Sequence, residues 1–436
     1  MKVLLISTYE LGHQPFGLAS PAAWLRRAGH QVAVLDLSVR RLHQESVREA
    51  DFIGFYLPMH TAARLAAAVI PAVRDLNPRA RLCCYGLYAP LNETYFRKLG
   101  IDHIAGGEFE AGLLEAVNGG QPAPVSLDRL EFLTPDRAGL PSLERYSKLH
   151  VLEGTRVAGY TEASRGCKHL CRHCPVVPVY NGAFRVVSRS VVLQDVRQQV
   201  EAGAEHITFG DPDFFNGPAH AMHIVEALHA EFPDLTYDIT IKVEHLRKHR
   251  DLLPRLKATG CLFVTSAVES FDDRVLEKLD KGHTQSDFIA VLEDFRSLGL
   301  ALAPTFVAFT PWTTMETYRE MLRLIVELEL VEQISSVQLA LRLLIPAGSR
   351  VLELPEIGPL LIGFDEAALL YRWRHTDPQV DILAAEILRL VNAEQKSTRL
   401  EVFEKVWQLV HGSAPPENFN LIPRAAIPYM DEPWYC

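Results

Sequence analysis

Short apolar runs alternate with amphipathic helical patterns along most of the chain, and this alternation restricts the fold to a parallel β/α architecture. Near the amino terminus the apolar runs cover residues 3–7, 32–37 and 81–85, and a long helical pattern covers residues 61–76. Apolar strands separated by helices are typical of a parallel sheet that is covered on both faces. Residues 1–125 are therefore predicted to form an open, Rossmann-like α/β domain.

The same alternation starts again at residue 156, after a stretch in which glycines and prolines interrupt any long element. We assign residues 126–155 to a linker, 156–345 to a partial barrel and 346–436 to a mostly helical carboxyl-terminal region. A complete eight-unit TIM barrel needs about 250 residues, so a (β/α)6 partial TIM barrel fits this segment better. The six predicted barrel strands cover residues 157–163, 206–209, 236–242, 262–267, 301–308 and 336–341.

The composition excludes several classes of protein. Of the 436 residues, 48% are hydrophobic and 22% are charged, which is ordinary for a globular protein with buried cores. The net charge of −10 provides no general attraction to nucleic acid or to an anionic membrane. No apolar stretch approaches the roughly 20 residues of a membrane span, and the amino terminus lacks the pattern of a signal peptide. We therefore expect a cytoplasmic protein with neither a nucleic-acid nor a membrane partner.

Three of the seven cysteines crowd into one segment that follows the first barrel strand. Cys167, Cys171 and Cys174 have the spacing C-x3-C-x2-C, and thiolates are the usual ligands of iron–sulfur clusters. Three thiolates leave one iron of a [4Fe–4S] cluster without a protein ligand, and an open coordination site is what metal catalysis requires. The alternatives are a zinc site completed by His169 or His173, and a cluster with a purely structural or electron-transfer role.

The three cysteines, placed after the first strand of a partial barrel, resemble the signature of radical S-adenosylmethionine (SAM) enzymes. The resemblance implies that a [4Fe–4S] cluster held by Cys167, Cys171 and Cys174 and SAM are the cofactors. It implies that an electron donor such as flavodoxin or ferredoxin reduces the cluster. SAM is then cleaved to a 5′-deoxyadenosyl radical that acts on a small-molecule substrate.

The resemblance extends to the ends of three further barrel strands. The second strand ends in Phe-Gly-Asp where the family usually has Gly-Gly-Glu, and this segment is implied to bind the amino group of SAM. The segment Ser-Ala-Val-Glu ends the fourth strand, where such enzymes contact ribose and carboxylate, and Pro-Thr-Phe-Val resembles the fifth-strand segment beside adenine. The cofactor-binding residues implied by these matches are Phe209, Gly210, Asp211, Ser266, Glu269 and Pro304.

Several of these polar residues also have an ordinary structural interpretation. Asp211 and Asp213 are suited to cap the helix that follows them, and Glu269 is suited to a solvated loop. The segment from Lys281 to His283 is interpreted as a turn after a helix. Further candidates for substrate contact or cluster shielding are Tyr180, Arg185, Arg189, Lys242, Glu244, Arg342, Trp373, Arg374 and His375.

The amino-terminal domain resembles the cobalamin-binding domain that precedes the barrel in one subclass of radical SAM enzymes. The order of the parts is the same, and cobalamin is therefore a candidate cofactor. The motif Asp-x-His-x-x-Gly, which supplies a histidine to cobalt in many cobalamin proteins, is missing, since His13 has Gly17 four residues later but no preceding aspartate at the required spacing. Either cobalt is held without a protein imidazole, or the domain has lost the cofactor and serves as a lid.

The end of the sequence, Pro-Tyr-Met-Asp-Glu-Pro-Trp-Tyr-Cys436, is similar to a radical SAM family whose tail carries Cys-Sec-Ala-Glu-Pro or Cys-Cys-Ala-Glu-Pro. This CUAEP/CCAEP-tail resemblance suggests the hypothesis that a selenocysteine codon after Cys436 was read as a stop. A Cys–Sec or Cys–Cys pair would bind a soft atom.

The sequence as a whole predicts a radical SAM enzyme that cleaves SAM reductively and modifies a small molecule. Cobalamin-dependent methyl transfer is the outcome that the resemblance implies. Transfer of the aminocarboxypropyl group of SAM is an alternative within the same class, and a non-enzymatic iron–sulfur redox or sensor protein is an alternative outside it.

Overall fold

The computed structural model describes residues 1–416 and 420–431, and two largely parallel sheets dominate it. Cys436 lies outside the described residues, so the tail hypothesis stays a prediction. Among the helices of the described segments, none is long and apolar enough to cross a membrane.

The first sheet has six parallel strands in the order β2-β1-β3-β4-β5-β6. Successive side chains of β1 point to opposite faces: Leu4 and Ile6 enter one core, whereas Val3 and Leu5 enter another. Helices cover both faces, as predicted for an open sheet. The elements are β1 (Lys2–Ser7), α1 (Phe16–Arg27), β2 (Gln31–Asp36), α2 (Gln44–Glu49), β3 (Phe52–Tyr56), α3 (His60–Leu76), β4 (Arg81–Tyr85), α4 (Tyr88–Leu91), α5 (Glu93–Lys98), β5 (His103–Gly107), α6 (Phe109–Val117) and β6 (Val125–Ser126).

The second sheet is the curved half-barrel, with the strand order β14-β13-β12-β11-β8-β7-β17. Its five strands from β14 to β8 are parallel, and β7 adds an antiparallel edge. The predicted α/β fold class is confirmed. The elements are β7 (Lys148–Val151), β8 (Gly154–Thr161), β9 (Ser164–Gly166), α7 (Val177–Tyr180), β10 (Phe184–Val186), α8 (Arg189–Glu201), β11 (His206–Phe209), α9 (Pro218–Glu231), β12 (Thr236–Thr240), α10 (Val243–Lys248), α11 (Leu253–Ala258), β13 (Cys261–Glu269), α12 (Asp273–Leu279), α13 (Gln285–Leu298), β14 (Ala301–Phe306) and α14 (Met315–Glu327).

The sixth barrel strand, predicted over residues 336–341, is not formed, whereas β7 joins this sheet from the predicted linker. Ser336–Leu339 forms a 3-10 helix, and the only trace of strand pairing described there is a single parallel bridge between Phe309 and Arg342. The side-chain oxygen of Gln338 accepts a hydrogen bond from the backbone N–H of Phe306 at 3.1 Å. A side chain thus satisfies a backbone donor on the free edge of β14, where a sixth strand would otherwise have paired.

The carboxyl-terminal region is mostly helical and returns to the barrel. Its last described strand pairs antiparallel with β7, so that Tyr429 lies opposite His150. The backbone N–H of Lys148 also donates to the carboxylate of Asp431 at 2.6 Å. The elements of this region are β15 (Leu361–Asp365), β16 (Leu370–Trp373), α15 (Pro378–Ala393), α16 (Arg399–His411) and β17 (Tyr429–Met430).

Candidate active site at the mouth of the half-barrel

The cysteine loop begins at a glycine that other residues could not replace without movement of the chain. Gly166 ends β9 with a φ of +73°, and a Cβ atom there would lie 2.4 Å from the carbonyl oxygen of Ala183 and 2.5 Å from the ring of Tyr180. Farther along, the backbone N–H of Arg172 donates to the carbonyl of Leu279 at the end of α12 (2.9 Å). Backbone contacts therefore fix the loop on both sides.

The three loop thiols are free and buried or half-buried. Burial, with a smaller contribution from the neighbouring Cys171 and Cys167, raises the pKa of Cys174 to about 12. Three thiols that repel one another as thiolates gain from a shared cationic ligand, and iron–sulfur clusters are the usual partner of such a set. The donor set therefore fits a [4Fe–4S] cluster with three protein ligands.

A buried group of charges lies beside the loop. The carboxylate of Glu269, at the end of β13, contacts the Lys281 ammonium at 3.2 Å and Nε2 of His173 at 3.0 Å. Burial alone would raise the pKa of Glu269, but Lys281 and His173 outweigh it and hold this pKa well below its ordinary value. Glu269 is therefore ionised inside the site and not in a solvated loop. Lys281, which the sequence assigned to a turn, carries a buried charge near Cys171 and Cys174.

Asp211, the predicted acceptor for the amino group of SAM, supports the cysteine loop. Its carboxylate accepts hydrogen bonds from the backbone N–H of Ala163 at 2.9 Å and from the hydroxyl of Ser164. Burial raises the pKa of Asp211 to about 7, against the effect of these hydrogen bonds. Gly210 is in close contact with Tyr160, whose hydroxyl oxygen lies 1.9 Å from the position of a glycine Cβ. Phe209 is a core residue at 1% exposure.

A cavity of about 200 Å³ lies within the curved sheet. Pro304 lines it, whereas the neighbouring Ser266 is buried and its hydroxyl donates to the carbonyl of Ile241 at 2.7 Å. The carboxyl-terminal segment closes the cavity through Tyr429 and Met430. The polar side chains of its lining include Thr240, Thr265, Gln333, Gln338, Arg399 and Arg424.

Several other predicted contact residues have structural roles. Arg342 pairs with Asp381 at 2.7 Å and lies 3.6 Å from the ring centroid of Trp373, whose indole N–H donates to the carbonyl of Leu343. The backbone N–H of His375 also donates to Asp381. The guanidinium of Arg185 donates to the carbonyl of Leu127, and Arg189 and Arg374 are exposed. Arg342, Trp373, His375 and Arg185 therefore make structural contacts, whereas Arg189 and Arg374 face solvent.

Arg165 joins the two sheets, and the sequence analysis missed it. Its guanidinium donates to both carboxylate oxygens of Glu110 at 2.7 and 2.8 Å, and to Glu162 at 2.7 Å. Glu108 lies 3.5 Å from the same group. Burial raises the pKa of Glu108 to about 7, against the opposing charge of Arg165. The arginine directly precedes the Gly-Cys pair of the cysteine motif, but nothing in the sequence identifies its partners 55 residues earlier.

The glycines at the carboxyl edge of the first sheet lie directly against side chains and backbone atoms of neighbouring elements. A Cβ on Gly17 would lie 2.1 Å from the ring of Tyr56, and a Cβ on Gly106 would lie 2.5 Å from Pro90. Gly107, with a φ of +69°, approaches the backbone of β6. The adjoining cavity between the sheets measures about 230 Å³, below the roughly 300–1,000 Å³ of pockets for drug-sized ligands, and a corrin is larger than such ligands.

The two histidines of the predicted cobalamin loops also have partners. The His13 ring stacks on Tyr160 with centroids 4.8 Å apart, and burial lowers its pKa to about 4. Nε2 of His60 lies 2.6 Å from the carbonyl oxygen of Ala368. In this arrangement both imidazoles contact other groups of the chain, and neither is available to cobalt.

The comparisons with known proteins agree with the barrel site. Residues 161–325 match the family described as the radical SAM superfamily, and this range contains the whole cysteine loop and strands β11 to β14. The chain therefore carries a radical SAM domain.

Two curated relatives share part of the sequence. The chain is 28% identical over 337 residues to hopanoid C-3 methylase of Methylococcus capsulatus, covering 71% of this chain and 64% of that protein. It is 26% identical over 196 residues to tRNA-2-methylthio-N(6)-dimethylallyladenosine synthase of Chlorobium chlorochromatii, covering 43% of each. The chain thus spans about two fifths to just under two thirds of the length of these relatives.

Two solved structures share the fold. The cobalamin-dependent SAM radical enzyme OxsB, with aqua-cobalamin bound, matches with a TM-score of 0.68 at 13% identity, over 94% of this chain and 72% of that one. The radical SAM methyltransferase TsrM from Kitasatospora setae, with cobalamin and a [4Fe–4S] cluster, matches with a TM-score of 0.59 at 17% identity, over 75% and 70%. At these identities the likeness shows the common order of an α/β domain and a half-barrel.

Proposed function

We propose that the protein cleaves SAM reductively at a [4Fe–4S] cluster and modifies a small-molecule substrate. The observation that carries the proposal is the set of three free thiols, Cys167, Cys171 and Cys174, on one fixed loop at the mouth of a radical SAM half-barrel. When bound there, the cluster supplies the electron with which a carbon–sulfur bond of SAM is broken.

The residues beside the loop support binding of SAM. Lys281 holds a buried positive charge near Cys171 and Cys174, which offsets the negative charge of the thiolates. Lys281 and His173 both contact Oε1 of Glu269, which leaves Oε2 to accept hydrogen bonds from the ribose hydroxyls of SAM. The role of Asp211 in this proposal is to hold Ala163 and Ser164 at the start of the loop, so it is a positioning residue.

The cavity within the sheet supports a small, polar substrate. Arg399 and Arg424 line it, and both guanidiniums donate to the carbonyl of Glu332 at 3.0 and 3.4 Å. In the described part of the chain neither forms an ion pair with a carboxylate. A substrate with a negative group would therefore find two donors suited to bidentate binding.

Methyl transfer from SAM is the second candidate, because hopanoid C-3 methylase and TsrM are named for that outcome. The closed edge of the first sheet opposes a cobalamin-dependent version of it. Transfer of the aminocarboxypropyl group is the third outcome that the same site would allow.

The test is a product assay on anaerobically reconstituted protein with SAM, and with dithionite or a flavodoxin system as reductant. Release of 5′-deoxyadenosine, detected by mass spectrometry and lost in Cys171→Ala, supports the proposal. S-adenosylhomocysteine that requires added cobalamin would favour methylation, and methylthioadenosine would favour aminocarboxypropyl transfer. A reduced cluster that leaves SAM intact, with candidate anionic substrates present, would contradict the enzymatic function.

A further inference from the structure

Three side chains of metal-binding types meet at the barrel mouth, next to the cysteine loop. Oδ2 of Asp213 lies 2.7 Å from Nδ1 of His245 and 3.4 Å from Nε2 of His169. These side chains are 0%, 9% and 14% exposed, respectively. The imidazole rings of His169 and His245 have their centroids 4.6 Å apart. Two loops and one helix thus bring two imidazole nitrogens to within 3.4 Å of one carboxylate oxygen.

The three facing atoms are close together but not aligned as hydrogen bonds. Asp213 Oδ2, His169 Nε2 and His245 Nδ1 are all buried, and none has a hydrogen-bond partner with acceptable geometry among the described residues. Buried polar atoms are rarely left in this state, because each loses its hydration without a replacement. An occupant that binds all three atoms removes that cost.

The spacing of the atoms is that of ligands around one metal ion. Metal–nitrogen and metal–oxygen bonds of about 2.1 Å place neighbouring ligands roughly 3.0 Å apart at octahedral angles and roughly 3.4 Å apart at tetrahedral angles. Of the two distances from Asp213 Oδ2, the one of 3.4 Å equals the tetrahedral spacing, and the one of 2.7 Å is somewhat shorter than the octahedral spacing. A direct hydrogen bond between a histidine nitrogen and Asp213 Oδ2 would be equally short, but its N–H would point at the carboxylate oxygen. Neither histidine has this geometry.

The surroundings of His169 match those of a ligating histidine. Its second nitrogen, Nδ1, lies 3.4 Å from the carboxylate of Glu244, and Glu244 contacts the Lys242 ammonium at 3.2 Å. Ligating histidines commonly direct their second nitrogen to a carboxylate, which fixes the tautomer and the ring orientation. Glu244 and Lys242, which the sequence placed at the barrel mouth, therefore gain a role as orienting residues.

We propose that His169, His245 and Asp213 bind a divalent cation of the zinc or ferrous type beside the iron–sulfur loop. Two imidazoles and one carboxylate are a donor set for such ions that leaves coordination positions open, and an oxygen-bearing substrate group would fill them. The site is separate from the cluster, because it uses none of the three thiols. Cys167 Sγ nevertheless lies within 4.8 Å of the His169 and Asp213 ligand atoms, so the test must distinguish this site from metal bound by the thiols.

The experiment uses Co²⁺ as the probe, because its visible absorption reports the ligands directly. Anaerobically reconstituted wild-type protein is titrated with Co²⁺ and analysed for bound metal, iron and sulfide. We expect about one equivalent of Co²⁺ in addition to the cluster iron. Asp213→Asn and His245→Gln should each weaken Co²⁺ binding about 100-fold while the iron content is retained, and Glu244→Gln should weaken it roughly tenfold.

Two controls make the result decisive. His249→Gln changes an imidazole whose ring centroid lies 5.9 Å from that of His245 and 5.8 Å from that of Phe215, and it should leave Co²⁺ binding unchanged. The combined variant Cys167→Ser, Cys171→Ser and Cys174→Ser removes the cluster and every thiol of the loop, and it should leave Co²⁺ on the nitrogen–oxygen site without a thiolate charge-transfer band. The proposal is overturned if wild-type protein binds no Co²⁺ beyond the cluster. It is also overturned if Co²⁺ binding survives Asp213→Asn but disappears in the triple Cys→Ser variant.

Discussion

The two sheets present the same kind of edge, but they use it in opposite ways. At the carboxyl edge of the first sheet, glycines pack against the side chains and backbone of this chain, and the two histidines of its loops have partners. At the carboxyl edge of the half-barrel, three thiols are free, and a carboxylate and two imidazoles face one another without aligned hydrogen bonds. Ligands bind at the carboxyl ends of parallel strands, but only where the chain leaves groups unsatisfied.

A shared fold therefore does not by itself determine which sheet edge binds a cofactor. The order of an α/β domain and a half-barrel is common to OxsB, TsrM and this chain. The free space at each edge depends on single side chains, such as Tyr56, which packs against Gly17 in the first sheet. Function is therefore argued from the site and not from the architecture.

The largest effect is expected from a comparison of one cysteine at each edge. Cys171→Ala should abolish iron binding and the cleavage of SAM, because two thiols cannot hold the cluster in place of three. Cys84→Ala, in a buried strand of the first sheet, should keep the full iron content and cost about 1 kcal/mol of stability. Iron and sulfide analysis after reconstitution measures both. Equal iron in the two variants would show that the loop does not hold the cluster.

The second largest effect is expected from the loss of Arg165, whose guanidinium connects the two sheets. Arg165→Met should lower the free energy of unfolding by about 3–5 kcal/mol, because Glu110, Glu162 and Glu108 would remain buried without their cation. The matched control is Arg197→Met, which breaks an exposed pair with Glu231 and should cost less than about 1 kcal/mol. Urea denaturation measures the two losses. Similar losses in both variants would mean that Arg165 does not couple the sheets.

The sequence predicted the five parallel strands of the half-barrel and the main strands of the first sheet, because the alternation of apolar runs is a local signal. It did not predict the edge strand β7, which lies in the predicted linker. It could not predict that Arg165 pairs with Glu110, nor that the side chain of Gln338 replaces a sixth strand, because both depend on contacts far apart in the chain. For the same reason Lys281 was interpreted as part of a turn. The charged residues of such a cluster come together only in the folded chain, and their positions in the sequence show no periodic pattern.

A smaller effect is expected from the titration of Glu108 between the sheets. Its pKa in the folded protein is raised to about 7, whereas an unfolded glutamate has a pKa near 4.3. Between these two pH values Glu108 is protonated in the folded state but ionised in the unfolded state. The contribution of Glu108 to stability is therefore greatest below about pH 4 and is lost as the pH rises through about 7.

Glu108→Gln cannot titrate, so the variant should gain stability relative to wild type as the pH rises, by about 2–3 kcal/mol between roughly pH 4.5 and 8. Glu115→Gln, an exposed change on the neighbouring helix α6, should show no such pH-dependent gain. Thermal unfolding followed by circular dichroism over this pH range measures the difference. A gain that is independent of pH would show that Glu108 is ionised in the folded protein.

The smallest expected effect is the response of the first sheet to cobalamin. The wild-type protein should leave the visible spectrum of hydroxocobalamin unchanged, because Tyr56 occupies the space in front of Gly17 and the adjoining cavity is smaller than a corrin. Tyr56→Ala removes that ring, and any weak binding should first appear in this variant. Tight binding by wild-type protein would instead show that the edge opens for the cofactor, and it would move the second candidate, cobalamin-dependent methylation, ahead of the first.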